Sequence, residues 1–190
     1  GHVDARERAG EDRTAAIERV AIDRLPVVRH AARVLADQVG LGLADIVITE
    51  AGFGSDLGFE KFCDVKCTMS GLWPDAALVV VTIRALKAQS GNYQIKVGRP
   101  LDDTIDDEHL PNLCAGLHNL EDHLANVARF GIPAVVAINR FPTDTEAELQ
   151  AVMQSAMAAG AFGVAVADVY GKGGEDAEEL CDRGVPGDLA

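Results

Sequence analysis

The sequence predicts an α/β domain on a mostly parallel sheet with helices on both faces, and three observations carry that prediction. Four short runs rich in β-branched residues, 46–49, 77–83, 134–139 and 163–169, are apolar on both faces, as strands covered by helices are. Segments with helical spacing of apolar residues lie between them, at 57–66, 109–130 and 145–159. The alternation of strand and helix, joined by right-handed crossovers, gathers the carboxyl ends of the strands along one edge.

Each element has its own reason. Residues 1 to about 15 are polar, whereas 12–40 carry Ala, Leu, Ile and Val at helical spacing with Gly40 and Gly42 as stops, predicting a helix or helix pair. Ile46–Thr49 reads as the first strand, and glycines then lead into the helical 57–66 pattern. Ala77–Ile83 is the second strand. The stretch from Gln89 to Asp107 holds SGNYQIKVGRPLDD, a surface excursion or short hairpin whose Gly91, Gly98 and Pro100 mark a loop inside one domain. His109–Phe130 is a long helix, Ala134–Asn139 a strand, and Thr145–Ala159 a helix stopped by Gly160. Gly163–Val169 is the fourth strand.

Composition narrows the function. With 190 residues and 48% hydrophobic content, the chain suits one domain with a sizeable core. A net charge of −13 argues against a sequence-independent grip on nucleic acid phosphates, so any bound anion needs a local positive site. No run of eighteen apolar residues is present, and the opening GHVDARERAGEDR is charged where a signal peptide is apolar. No membrane association and a cytoplasmic location are expected. Cys63, Cys67, Cys114 and Cys181 are expected as free thiols, since the C-x-x-x-C pair lacks the two-residue gap of zinc or redox motifs. His118 and His123 are five apart on a helix, about 140° around its axis, so no metal site is predicted from them.

Ligands of open α/β sheets bind beyond the carboxyl ends of the strands, so the residues just after each run matter most. After the first run comes Glu50-Ala-Gly-Phe-Gly-Ser-Asp56, after the second Arg84-Ala-Leu-Lys87, after the third Asn139-Arg-Phe-Pro-Thr-Asp144, and after the fourth Tyr170-Gly-Lys-Gly-Gly174. Glycines on both sides of Phe53 free the backbone to turn and present amides to an anion, with Phe53 walling the pocket. Equally, the turn is a plain strand-to-helix connection whose Phe53 folds into the core, with Ser55 or Asp56 as cap. The pattern is not the dinucleotide fingerprint, and no G-x-x-x-x-G-K-[ST] occurs.

Phe141 and Pro142 suit one face of a slot for a flat ring, and Tyr170 an opposing face by offset stacking. An ordinary strand-end tyrosine serves as well. Thr143 with Glu146, or Thr145 with Glu148, fits a capping box for the next helix. Arg84 and Lys87, three apart, reach one anion if the chain is helical there, or else form a solvated rim. Lys172, between glycines, supplies a point charge to a phosphate or carboxylate. Asn139 and Asp144 stand five apart, where a guanine-reading N-K-x-D turn needs three.

At these motifs the sequence resembles the formate–tetrahydrofolate ligases, also called formyltetrahydrofolate synthetases. The resemblance is carried by VLADQVGLGLADIVITEAGFGSDLGFEKFCDVKC, GLWPDAALVVVTIRALK, NLEDHLANVARFGIPAVVAINRFPTDTEAEL and VYGKGGE, and spans about residues 34–180. It implies a P-loop-type α/β core and ATP-dependent joining of formate to N10 of tetrahydrofolate through formyl phosphate. It further implies Mg2+, a monovalent cation and a homo-oligomer. By resemblance, Phe53 and Gly54 lie against the formyl phosphate, with Arg84 beside them as a catalytic residue. By the same resemblance, Phe141, Pro142 and Tyr170 hold the folate ring, and Lys172 and Gly173 are cofactor-binding residues of the neighbouring motif. The family carries tryptophan where Tyr170 stands.

Residues 1–33 and 181–190 match nothing in the family, and the family's phosphate-binding loop with its lysine is absent from this sequence. An internal piece of the ligase, inactive alone, is therefore expected. The alternative is a folate-binding remnant or interaction subunit completed by another chain.

Overall fold

The computed structural model describes residues 25–94 and 102–168, with side chains described from residue 34 onward. They fall into two compact units. One comprises residues 25–53 and 60–72, the other residues 54–59, 73–94 and 102–168.

The first unit opens with α1, Leu25–Leu43, which runs on through Gly40 and Gly42, the stops expected from the sequence; the part of the predicted 12–40 span before residue 25 lies outside the described residues. The chain leaves it with the Ala44 N–H on the Gly40 carbonyl at 2.9 Å, and a Cβ on Gly40 would come within 3.2 Å of the Val47 methyls. The returning run Ile46–Thr49 corrects the sequence reading. It forms no ladder among the described residues, and Ile46 and Ile48 are 74% and 93% exposed. An apolar run of four residues has strand propensity, but only a neighbouring strand makes it one.

A π-helical stretch, Phe62–Cys67, and the single turn α2, Thr68–Ser70, complete this unit, and Gly71 stops it in a left-handed conformation with φ 72°. The expected helix 57–66 is thus wound wider than an α-helix. Its buried face presents Cys63, Lys66 and Cys67. Lys66 is 8% exposed because its ammonium is matched three ways: an ion pair with Asp37, a hydrogen bond to Thr49 Oγ1, and the face of the Phe62 ring 4.2 Å away. Burying that charge without such partners would cost several kcal/mol, of order 3–5.

The second unit holds the sheet: β1 Ala77–Val81, β2 Ala134–Asn139 and β3 Gly163–Ala167, all parallel in the order β1-β2-β3. Ala77 pairs with Ala134, and Val135 with Gly163. Central β2 is buried at five of its six positions, as a strand covered on both faces must be. β1 departs from expectation: Leu78 and Val80 are 54% and 60% exposed, so one face of this edge strand is open. It also ends at Val81 instead of Ile83. Thr82 turns extended, accepts the Ala85 N–H at 3.2 Å and caps α3, Ile83–Ala88, whose Ile83 is fully buried.

Helix α4, Leu110–Arg129, starts where His109 Nδ1 accepts the Asn112 N–H at 3.0 Å. Its core stripe is Leu113, Leu117, Leu120, Leu124 and Val127, alternating steps of four and three. Burial of each such side chain contributes roughly 1.5–3 kcal/mol before entropy is counted. Gly116 lies on the same side, and a Cβ there would sit 1.8 Å from the Leu86 carbonyl oxygen, so only glycine lets α4 cross α3 this closely. Helix α5, Glu146–Ala158, opens with the predicted capping box of Thr145 and Glu148.

Candidate functional site

The site is built at the carboxyl ends of β1 and β2, neighbours in the sheet. β1 leads through Thr82 into α3, placing Arg84 on the first turn; β2 runs out at Asn139 into the turn that carries Phe141. The Arg84 guanidinium carbon lies 3.9 Å from the Phe141 ring centroid, stacked on one face of the ring. Two residues that the sequence reading placed in separate roles, the cation and the ring wall, therefore touch.

The Phe141 turn closes on itself. Its N–H donates to Asp144 Oδ2 at 2.8 Å and its carbonyl accepts the Asp144 N–H at 2.9 Å, while the Arg140 N–H reaches back to the Ala167 carbonyl of β3 at 3.0 Å. Pro142 is exposed beside it, and Phe141 itself is half-buried. Asp144 is 8% exposed. Burial pushes its carboxyl above the usual aspartate range, and the nearby Glu148 charge adds to this against the Phe141 N–H and the Lys87 and Arg84 charges.

Arg84 is anchored on its other side by Asp106, whose Oδ1 is 3.0 Å from Nη2. The approach is misaligned for hydrogen bonding, and Arg84 Nε and Asp106 Oδ1 are buried without a hydrogen-bond partner. Lys87, one turn further along α3, does not share an anion with Arg84. It is 1% exposed and points inward, its ammonium 3.0 Å from Glu148 Oε1 and donating to the Asp107 carbonyl at 2.9 Å. Neither an anion site with Arg84 nor a solvated rim describes it. Glu148 also accepts the His109 N–H at 3.0 Å. Burial raises the Glu148 carboxyl, but the His109 hydrogen bond and the Lys87 ammonium outweigh it, and the net direction is downward.

Phe53 is 96% exposed and adopts φ 55°, directly after Gly52 at φ 71°. The core-filling reading of Phe53 is thereby excluded. A phenylalanine in the left-handed region is strained, at a cost of order 1–2 kcal/mol, and such strain gathers at ligand-binding turns. Gly54 begins the second unit. Its carbonyl accepts the N–H groups of Leu57, Gly58 and Phe59 at 3.3, 2.8 and 3.4 Å, which starts the π-helical turn Ser55–Phe59. Ser55 does not cap that turn: its Oγ is 2.6 Å from His123 Nδ1 on α4, and Asn126 Nδ2 donates to the Ser55 carbonyl at 2.6 Å. A Cβ on Gly54 would meet Asp56 Oδ1 at 2.5 Å and His123 Cε1 at 3.0 Å.

Tyr170, Lys172 and Gly173 lie outside the described residues. Sequence reasoning missed Asp106, His123 and Asn126. The first sits in the stretch read as a surface excursion, Asn126 carries no distinguishing signal, and His123 enters the sequence reading only as a metal ligand beside His118, not as a partner of Ser55. Among the described residues no three His, Cys, Asp or Glu side chains converge as metal ligands. Nor is any described helix long and apolar enough to cross a membrane.

Comparison with known proteins adds the lineage. Residues 27–185 match the family model described as formate–tetrahydrofolate ligase, so the match reaches a few residues into each of the stretches 1–33 and 181–190 that the sequence reading left outside the resemblance. A formate–tetrahydrofolate ligase of Chloroflexus aggregans is 52% identical over 147 residues, covering 77% of this chain and 26% of that protein. The Roseiflexus sp. and Aeromonas hydrophila proteins of that name are 49% and 50% identical, covering 81% and 80% of this chain and 27% and 26% of their own lengths. The chain thus spans about a quarter of the length of these curated relatives. With a family match over most of its length and relatives at about half identity, this chain belongs to the formate–tetrahydrofolate ligase family.

Proposed function

We propose that this chain supplies the folate-ring wall and the acyl-phosphate turn of an ATP-dependent ligase that joins formate to N10 of tetrahydrofolate. In that reaction a formate oxygen attacks the terminal phosphoryl group of ATP, giving formyl phosphate and ADP. N10 then attacks the formyl carbon, inorganic phosphate leaves with the electrons of the broken C–O bond, and the N10 proton passes to the departing phosphate. Phe141 and Pro142 hold the folate ring, with Tyr170 as its second face and Lys172 and Gly173 alongside. The Gly52-Phe53-Gly54 turn lies against the formyl phosphate. Arg84 brings the positive charge that an otherwise acidic chain needs near an anionic reactant, and charge stabilisation with close positioning carries the rate.

The observation that carries this reading is the Arg84–Phe141 stack at the ends of two adjacent parallel strands, the place where open α/β sheets bind ligands. Mg2+, a monovalent cation, a P-loop-type core, homo-oligomeric assembly and a cytoplasmic setting belong to the same proposal. So does the piecewise character of the chain: without a phosphate-cradling lysine loop in its sequence, it forms no measurable 10-formyl product alone. Turnover with formate, ATP and tetrahydrofolate would refute that part. Titration calorimetry with tetrahydrofolate tests the ring wall, because Phe141→Ala should weaken binding by about 1–3 kcal/mol, the worth of an aromatic stacking face. Equal binding by the variant removes the ring slot.

A second reading rests on the same geometry: a folate-binding remnant or an interaction subunit, completed by a separate chain bearing the phosphate loop. Restored turnover on mixing with such a chain separates it from the first.

A further inference from the structure

We infer that Asp106 is a positioning residue for the ring slot: acting through Arg84, it keeps one face of Phe141 covered, so that a flat ligand ring is received only on the opposite face. This rests on the ring-slot reading above.

The geometry is a two-point clamp. Helix α3 carries Arg84 and Lys87 one turn apart, and the loop facing it presents two consecutive residues to them. Asp106 meets Arg84 Nη2 at 3.0 Å, and the Asp107 carbonyl accepts from Lys87 Nζ at 2.9 Å. The loop cannot slide along the helix without breaking both. It is fixed internally as well, since Asp106 closes the 3-10 turn Asp103–Asp106, in which Asp102 accepts both the N–H and the hydroxyl of Thr104, and Ile105 is 2% exposed. Asp106 is thus held between an apolar anchor before it and a charged anchor after it.

What this fixes is the cation. A free arginine side chain samples many rotamers, whereas here the guanidinium is drawn from one side by a carboxylate and lies 3.9 Å above the Phe141 centroid on the other. The Arg84–Asp106 contact is poorly aligned, and both Arg84 Nε and Asp106 Oδ1 stay without hydrogen-bond partners. Arginine–carboxylate pairs are frequently bidentate, and this contact is single. This one serves placement of the guanidinium against the ring. The main chain beneath the ring is fixed as well, because the Phe141 N–H and carbonyl are both tied to Asp144. The slot therefore has one usable side, and its floor is a phenyl ring backed by a positive charge.

The test uses the full chain with tetrahydrofolate as probe, in a double-mutant cycle of Asp106→Asn, Arg84→Met and the two combined. Each single variant should weaken binding by about two- to fivefold, the affinity equivalent of an exposed cation–π contact. The double variant should lose no more than either alone, because both changes remove the same arrangement. In the ligand-free protein, the Arg84 δ-proton resonances should be shifted upfield by the Phe141 ring current and return toward ordinary arginine positions in Asp106→Asn. Wild-type binding with an unaffected Asp106→Asn titration, unmoved Arg84 resonances, or additive losses of the kind a general loss of stability gives, overturns the inference alone. A wild-type chain that binds no tetrahydrofolate overturns the ring-slot reading, and the ligand-facing part of this inference with it.

Discussion

Replacing Lys87 by methionine should unfold this protein more readily than any surface change, and the size of the effect follows from what is left behind. Lys87 and Glu148 are 1% and 0% exposed, and the ammonium is the only cation hydrogen-bonded to that carboxylate among the described residues. In the variant the carboxylate keeps the His109 N–H at 3.0 Å and the longer Thr145 N–H at 3.4 Å, and the Asp107 carbonyl loses its donor. A buried charge stripped of its partner costs about 3–5 kcal/mol, a third or more of the stability of a typical domain. The sign with pH is also set. Glu148 is held below its ordinary value in the wild type, so its stabilising contribution is present above the unfolded value, about 4.3, and fades as pH falls through the folded one. In Lys87→Met burial prevails and the carboxyl is pushed up, so stability is present at low pH and lost as pH rises. Urea denaturation followed by circular dichroism should therefore show a deficit of about 3–5 kcal/mol at pH 7 that shrinks towards pH 4. A deficit under about 1 kcal/mol at pH 7, or one independent of pH, refutes the reasoning.

Three further outcomes can be checked. Gly116→Ala places a methyl 1.8 Å from the Leu86 carbonyl oxygen, a backbone atom that cannot swing aside, and should cost about 3 kcal/mol or more in thermal or urea melts; a variant within about 1 kcal/mol of wild type would show that α3 and α4 can part freely. Phe53→Val should destabilise by about 1–2 kcal/mol and Phe53→Gly should not, because at φ 55° a β-branched residue is strained and glycine is not, while the ring itself buries nothing. Equal melting temperatures for the two would contradict that backbone assignment. Cys63 is pushed up to about 12, by burial first and then by Cys67, whereas Cys114 is exposed. Under a maleimide or disulfide reagent at pH 8, peptide mapping should show Cys114 labelled early and Cys63 only on unfolding; labelling of both at one rate would deny the burial.

The strands at Ala77, Ala134 and Gly163 were legible because β-branched runs bounded by turn residues have few alternatives, and the Thr145–Glu148 box because capping is local. Ile46–Thr49 has the same composition and pairs with no strand among the described residues: pairing is a long-range property, and four residues carry no information about a partner. Lys87 shows a different limit. Counted as a cation near Arg84 it reads as a surface group, yet Ile83, Leu86 and Lys87 share the spacing of one helix face, and the first two are core. That spacing was a usable signal, whereas its partner Glu148 lies 61 residues away and gave none. Arg84 and Phe141 were both singled out for standing just past strand ends. Their stacking follows from β1 and β2 being neighbours, which the order of elements suggests but only the sheet pairing supplies. Asp106 was hidden because an acidic run in a loop looks alike whether one of its members grips a guanidinium or all face water.

The outer rail of β1 has consequences for anyone handling this polypeptide. Ala77-Leu-Val-Val-Val81 carries no charge, proline or bulge to repel another ribbon, and Leu78 and Val80, alternate residues on one side of it, are unclothed. Among the described residues nothing pairs with that margin, and an open margin recruits whatever backbone drifts past, so the purified material should self-associate as it is concentrated, which light scattering against concentration checks. A single lysine at Val80 should keep it dispersed.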